Sequence, residues 1–456
     1  MKWNNLSLHK IKWICSFIVV LLPFFCSISN IFQKYLAVTL WAIMMWMFEL
    51  LPEEIVAIML PGLYILFDIT NFATAFSAWT TSTPWITLGG VMIGGMIVKS
   101  GLVLRIAYKS LLLTKGSLKG IVWGIVLTCT IFTPLIPSIM AKVALLVPVV
   151  IGICKVLKVE AKSATASALM LVVFFALWSP KMAFMTASTD SILTAGILEQ
   201  YLGVKITWLA WAKDMFIPGI LWMLVSIPLI YILRPQHLNL NKEYLKIEYR
   251  KLGKITIDEK KTVTLITALL ILLIFSSWHK LPEGVLMLGI GCLGFFPGIG
   301  LLKSDDFSKI QFKVVFFLAG AVTIGAVASS IGITESVINF VQPYFEQMNS
   351  YELVMSIYIF SILANFLLNP LALIATLMIP IANLCSNLGY SATIGGYSMI
   401  MGFNQALFPY EIAPLMLVYG FGYLKLTHLI KVMVFRIVAG IIFMTVVSYP
   451  FWLYIG

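Results

Sequence analysis

Apolar residues in this chain come in long runs, without the alternation of strands or the one-sided spacing of soluble helices. From Ile14 to the C-terminus, runs of about 17 to 25 residues with few charges follow one another, each long enough to cross about 30 Å of hydrocarbon as a helix. The pattern predicts an all-α polytopic membrane protein of about 11 transmembrane helices, at roughly 13–30, 34–50, 54–68, 84–100, 163–187, 207–233, 261–277, 282–298, 313–330, 390–408 and 428–453. Two further segments, 118–157 and 351–386, are too long for one helix each and are broken near the middle by proline or polar residues. They are predicted to be re-entrant helical hairpins, because irregular backbone at that depth is tolerated only where protein buries it or it lines a cavity.

The two halves share a pattern. Gly89, Val91, Ile93 and Gly94 recur as Gly320, Val322, Ile324 and Gly325, a constant offset of 231 (320 − 89), and Gly101 recurs as Gly332 at the same offset. Pro148 meets Pro380 at 232. In an apolar chain a repeated half points to a secondary transporter whose substrate site lies where the repeats meet. Residues 1–33 are read as an N-terminal transmembrane helix, 34–233 as a first inverted repeat with hairpin 118–157, 234–261 as a cytoplasmic connector, and 262–456 as a second inverted repeat with hairpin 351–386.

Charge fixes the expected orientation. The chain is 61% hydrophobic and 11% charged, with a formal net charge of +12. In a soluble protein that excess would suggest a nucleic-acid partner. Here it gathers in particular loops, so the positive-inside rule accounts for it and no nucleic-acid partner is expected. Lys99, Arg105, Lys109, Lys115, Lys119, Lys155, Lys158 and Lys162 fall on the inner side with the basic connector, whereas Lys34, Lys205 and Lys280 fall outside. The expectation is a multi-pass plasma-membrane protein with a cytoplasmic N-terminus, its first run retained as a helix. The connector is expected to be a plain linker, with binding of anionic lipid as the alternative. Six scattered cysteines and four histidines show no metal or disulfide spacing. Gly289, Gly291 and Gly294 fit GxGxxG but lie inside an apolar run, which excludes a dinucleotide fold. There is no Walker sequence, and no nucleophile–base pattern points to an enzyme.

Candidate chemistry sits at four breaks. The first hairpin tip carries Pro134, Pro137 and Ser138, with Lys142 one turn on; a lysine at bilayer depth is a functional candidate unless it snorkels to the surface. The second tip carries Asn365, Asn369 and Pro370, and the offset sets Asn369 opposite Ser138 (369 − 138 = 231). Helix N-termini at such tips present amides to an anion. After the first hairpin comes a polar cluster of Thr186, Ala187, Ser188, Thr189, Asp190 and Ser191; after the second, Asn404, Gln405, Pro409, Tyr410 and Glu411. Asp190 and Glu411 are candidates to carry protons or hold a cation, or else to cap the helices that start there. Lys181 either pairs with Asp190 or lies near an anionic substrate.

These stretches resemble a known family. "MWMFELLPEEIVAIMLPGL" resembles a W-x-x-E-x-LP segment, "VKSGLVLRIAYKSLL" a KTGLAxRIA segment, and "FPYEIAPLMLVYG" a PYxxaPxllvyg stretch of the divalent anion/sodium symporters. These proteins carry di- and tricarboxylates and sulfate. The resemblance implies a homodimeric secondary transporter of organic dianions, working by an elevator movement. It also implies substrate contacts from Pro137, Ser138, Lys142, Thr186, Ser188, Thr189, Asn369, Pro370, Pro409 and Tyr410, and ion coupling through Ser138, Ala187, Asp190, Asn369 and Glu411. The expected partners are a small anion and the lipid bilayer. Sodium is possible as coupling ion, and no other cofactor is expected. The family's Ser-Asn-Thr tip signature is eroded: the first tip reads Ser138-Ile139-Met140, and counting back from Pro380 aligns Pro370-Leu371-Ala372, with Asn369 in place only after a local shift. Lys142 matches the basic position of an SNTAR pattern, and Thr186 to Ser191 replaces the family's TGxxPN. Sodium, proton and counter-anion coupling all stay open on this reading. The alternatives are a sulfate or oxyanion carrier of the same fold, and a non-transporting sensor or scaffold.

Overall fold

The structure is a computed structural model. It describes residues 2–455 except 49, 115, 204, 205, 239, 241, 311 and 367. Glu49 of the W-x-x-E-x-LP segment and the loop charges Lys115 and Lys205 therefore lie outside the described residues.

Helices and short turns make up the fold, with no strand among the described residues. In chain order they are α1 (Lys2–Leu21), α2 (Asn30–Phe48), α3 (Glu53–Leu66), α4 (Ser82–Lys99), α5 (Leu102–Leu113), α6 (Leu118–Phe132), α7 (Ile139–Val156), α8 (Ala164–Trp178), α9 (Thr189–Leu202) and α10 (Trp208–Ser226). The connector holds α11 (Lys242–Lys251), and α12 (Ile257–Ile274), α13 (Glu283–Leu293), α14 (Phe312–Ser330), α15 (Ile333–Val341), α16 (Ser350–Ala364), α17 (Pro370–Asn387), α18 (Ala392–Phe403), α19 (Ala413–Gly420) and α20 (Leu426–Phe443) follow.

Among the described residues, seven helices are long and apolar enough to cross a membrane, or eight if α4 and α5, bent by 65° around Gly101, form one span. This is fewer than the eleven read from the sequence. The segment at 54–68 holds only the 14 residues of α3, and 282–298 only the 11 of α13, which gives way to a glycine-bearing turn with positive φ at Gly298 and Gly300. The first helix starts earlier than expected and ends at Leu21, where Pro23 sits in a 3-10 turn. Ser179–Pro180 and the polar residues from Asn404 likewise stop α8 and α18 short, because proline cannot donate to the preceding turn.

Two compact units divide the chain. One comprises 1–85, 193–206 and 311–400; the other comprises 86–192, 207–310 and 401–456. Each takes one of the segments 118–157 and 351–386 and pieces of both sequence halves. In the first unit α14 is the buried centre. Gly320 lets α3 approach until a Cβ there would stand 2.4 Å from the Ala57 carbonyl oxygen. Tyr35 donates to the Ile324 carbonyl at 3.1 Å, and its ring stacks on Tyr64. In the second unit α8 past its first residue and the turn after it, 165–183, are wholly enclosed. Gly89 makes the matching close approach there, since a Cβ would stand 2.2 Å from the Met287 carbonyl carbon.

Segments 118–157 and 351–386 each hold two helices that meet at a polar break, α6–α7 and α16–α17, and the two pairs share local geometry. Ser138 caps α7 by accepting the Ala141 amide at 3.2 Å, and Asn369 caps α17 by accepting the Ala372 amide at 2.9 Å. Both pairs differ by 231 (369 − 138 and 372 − 141). At the other ends Lys158 and Gly389 take positive φ, and Val159 and Tyr390 donate to the Cys154 and Cys385 carbonyls, both at 2.8 Å. The register counted back from Pro380 is thereby corrected. Asn369, not Pro370, is the counterpart of Ser138, and no local shift is needed. Cap geometry fixes a position because a side chain must reach an amide three residues on; the interior prolines are displaced by one residue without disturbing it.

The connector is more than a plain linker. Leu245 of α11 is buried, Leu240 donates to the Gly116 carbonyl at 2.7 Å, and Lys242 donates to Leu112 at 3.1 Å. Arg105, counted among the loop charges, is 6% exposed. Its guanidinium donates to the carbonyls of Leu252, Gly253 and Lys254 and pairs with Glu259 at 2.6 Å.

Candidate functional site

Within the second unit, the break between α6 and α7 meets the break between α8 and α9. Pro137 is buried against Gly90, where a Cβ would stand 2.4 Å from its ring. Ser138 is half-buried and spends its oxygen on the cap. Four residues on, Lys142 is 1% exposed, and its ammonium donates to the Ala187 carbonyl at 3.2 Å. No carboxylate among the described residues lies within ion-pair distance of it. Snorkelling to a surface is excluded by that burial. Thr186 stitches the breaks together by donating to the Pro134 carbonyl at 3.0 Å and accepting Trp208 Nε1 at 3.1 Å.

The second cation of the cluster is neutralised. Lys181 forms an ion pair with Asp190, and its ammonium lies 3.3 Å from the centroid of the Trp178 ring. Ser188 and Ser191 share a hydrogen bond at 3.0 Å, and Ser191 donates to the Lys181 carbonyl at 3.3 Å. Thr189 opens α9 and is half-buried.

Other predicted residues stand apart. Glu411 is 4% exposed, and its carboxylate accepts the amides of Leu407 and Phe408 at 2.7 to 3.2 Å, closing the loop before α19. Capping is thus its visible role. Pro409 starts that turn. Tyr410 is 59% exposed, its ring stacked on Phe408, and it makes no hydrogen bond to the Lys142 cluster. In the first unit, Asn369 donates from Nδ2 to Glu53 at 3.3 Å while its oxygen caps α17, and Pro370 occupies the first helical position. Among the described residues, Ile139 and Met140 bring no side-chain oxygen to the first tip, and the Ser138 and Asn369 side-chain oxygens each accept an amide.

Sequence reasoning passed over Arg436, which lies 1% exposed on α20 beside the break after α18. A lone arginine inside the apolar run 428–453 was the available signal. Around the three breaks of the second unit, the described residues place three buried cations (Lys142, Lys181, Arg436) with two buried carboxylates (Asp190, Glu411). That balance suits an anion.

Comparison with known proteins agrees in kind. Residues 4–456 match the family model described as the sodium:sulfate symporter transmembrane region. Dicarboxylate transporter 1 of spinach chloroplasts is 27% identical over 250 residues, covering 54% of this chain and 44% of the relative. The Arabidopsis protein of the same name is 28% identical over 209 residues, 45% of this chain and 38% of the relative. The L-tartrate/succinate antiporter of Escherichia coli is 23% identical over 453 residues, 89% of this chain and 90% of the relative. The chain thus spans less than half the length of the chloroplast relatives it matches and most of the bacterial antiporter.

Proposed function

We propose, from the premise that this chain belongs to the sodium:sulfate symporter family, that it is a secondary carrier of dicarboxylate-type organic dianions. The carrying observation is Lys142: an enclosed ammonium that donates to a carbonyl and has no carboxylate among the described residues within ion-pair distance, one turn into a helix that starts at a broken tip. An arriving carboxylate supplies the charge that this lysine lacks. The Thr186–Ser188 backbone, Thr189 and the tip amides line the same place, and Asn369 with Pro370 is the matching element of the second hairpin. Relatives named for dicarboxylate and for tartrate/succinate transport support this cargo. Movement is of the elevator type in a homodimer of the plasma membrane, with two inverted repeats around the site.

Coupling runs through protons or a counter-anion. Support for this comes from the first tip, where Ile139 and Met140 stand without side-chain oxygens and the Lys142 amine lies one turn on. Sulfate is the second reading for the cargo, supported by the description of the family model itself. Uptake of labelled succinate, citrate and sulfate into proteoliposomes, with sodium and proton gradients imposed separately, tests all of this. Succinate uptake driven by protons or by internal succinate is expected. Uptake that requires sodium refutes the coupling, and sulfate uptake alone refutes the cargo.

A further inference from the structure

Arg436 stands at a different junction from Lys142, where it joins parts of the chain that build the site. From the middle of α20 its guanidinium donates to the Asn404 carbonyl at 2.7 Å, Asn404 Oδ1 at 2.5 Å, Gln405 Oε1 at 3.1 Å and Ser179 Oγ at 3.1 Å. Ser179 is the first residue past α8, and Asn404 the first past α18. One planar fork therefore bridges two helix breaks.

Neutral partners hold the same junction from other sides. Asn404 Nδ2 donates to the Trp178 carbonyl at 3.0 Å, Trp178 Nε1 donates to the Asn404 carbonyl at 2.8 Å, and Trp222 Nε1 donates to Asn404 Oδ1 at 2.9 Å. The guanidinium lies 4.8 Å from the Trp222 ring centroid and 5.2 Å from that of Phe175. Trp178 in turn carries the Lys181 ammonium on its face, and Lys181 reaches Asp190. A continuous chain of contacts thus runs from Arg436 through Asn404, Trp178 and Lys181 to Asp190, three residues from the carbonyl that Lys142 meets.

We infer that Arg436 is a positioning residue for the anion site. It locks the breaks after α8 and α18 in one arrangement and so sets where Lys181, Asp190 and the Ala187 carbonyl stand. Arginine is required because four acceptors lie around it, and a planar fork can serve them together, whereas a lysine ammonium is a single point with three rotating donors. The inference rests on the carrier reading above.

Initial-rate uptake of succinate, and of sulfate, into proteoliposomes tests it in wild type, Arg436→Lys and Ser179→Ala, each normalised to the folded carrier recovered. Arg436→Lys is expected to raise KM at least tenfold, which corresponds to about 1.4 kcal/mol, and Ser179→Ala to raise it about threefold, the loss of one bond to a charged donor being at the low end of its range. If the lysine variant does not fold, Ser179→Ala and Gln405→Ala decide the matter. KM values at the wild-type level, with Vmax falling only as folded protein falls, would show that Arg436 merely holds the fold and overturn the inference. Wild-type protein that takes up neither anion overturns the carrier reading, and the inference with it.

Discussion

Replacing Lys142 by methionine separates the two roles open to a buried lysine, because it is expected to move stability and affinity in opposite directions. Methionine approximates the stem and removes the ammonium. In the protein that ammonium is 1% exposed and holds only the Ala187 carbonyl at 3.2 Å. Burying a charge without a counter-ion costs several kcal/mol, and a hydrogen bond to a neutral carbonyl offsets about 1.5–3 kcal/mol of it. The variant without ligand should therefore melt at or above the wild-type temperature. Binding should fall steeply. A carboxylate at about 4 Å from the ammonium gains about 4 kcal/mol at an effective dielectric constant near 20. Allowing for its desolvation leaves about 2–4 kcal/mol, or roughly 30- to 1,000-fold in Kd. Scanning fluorimetry of the detergent-solubilised protein, with and without succinate, reads the stability, and calorimetric titration reads the affinity. Lys142→Arg keeps the charge and should retain more of the binding. A methionine variant with a lowered melting temperature and an unchanged succinate Kd would refute the reasoning, since that is what loss of a packing group alone produces.

Gly89→Ala and Gly320→Ala each drive a Cβ into backbone, at 2.2 Å from Met287 and 2.4 Å from Ala57. Each should destabilise by about 1–3 kcal/mol or more, seen as a lost monodisperse peak in size-exclusion chromatography. Glu259→Gln removes the counter-charge of Arg105 and leaves its guanidinium with neutral acceptors alone, which should cost about 1.5–3 kcal/mol; faster tryptic cleavage within 242–261 reports it, while Lys246→Ala, at an exposed pair, should leave the rate unchanged. Outside the spans, Asp306 pairs with Lys99 and accepts the Lys303 amide, which together hold its carboxyl below the usual range. A depressed carboxylate contributes stability above its ordinary pKa and loses it as pH falls through the depressed value. Hydrogen exchange in 303–309, corrected for intrinsic rates, should therefore be unchanged from neutral pH to about pH 5 and rise only below the ordinary carboxylate range near pH 4. Loosening already at pH 6 would contradict this.

How much of this was legible depends on what kind of constraint each residue answers to. Gly89 and Gly320 were readable as a repeat because both sit where one backbone meets another, and only the smallest residue fits. Ser138 and Asn369 were readable as counterparts because few side chains can cap an amide three residues on. Glu411 could not be read the same way. Whether its carboxylate faces a ligand or its own loop amides depends on how the chain turns between Leu407 and Glu411. Arg105 was misjudged as a surface charge because its burial comes from a connector 148 positions away closing over it. Arg436 carried the same signal as Lys142, a cation inside an apolar run, and only its acceptors at Ser179 and Asn404 show what it does.

The repeat predicts scaffold better than chemistry, and Lys142 shows why. Its counterpart at the cap-defined offset is Leu373 (373 − 142 = 231), a buried aliphatic side chain on α17. The ammonium is therefore present on one hairpin only. A cap or a close approach recurs where the same local helix geometry recurs, at Ser138 and Asn369 and at Gly89 and Gly320. A second buried lysine would add another desolvation cost. The two hairpins accordingly differ in what they hold: the first carries the Lys142 ammonium against the Ala187 carbonyl, and the second carries Asn369 as the cap of α17.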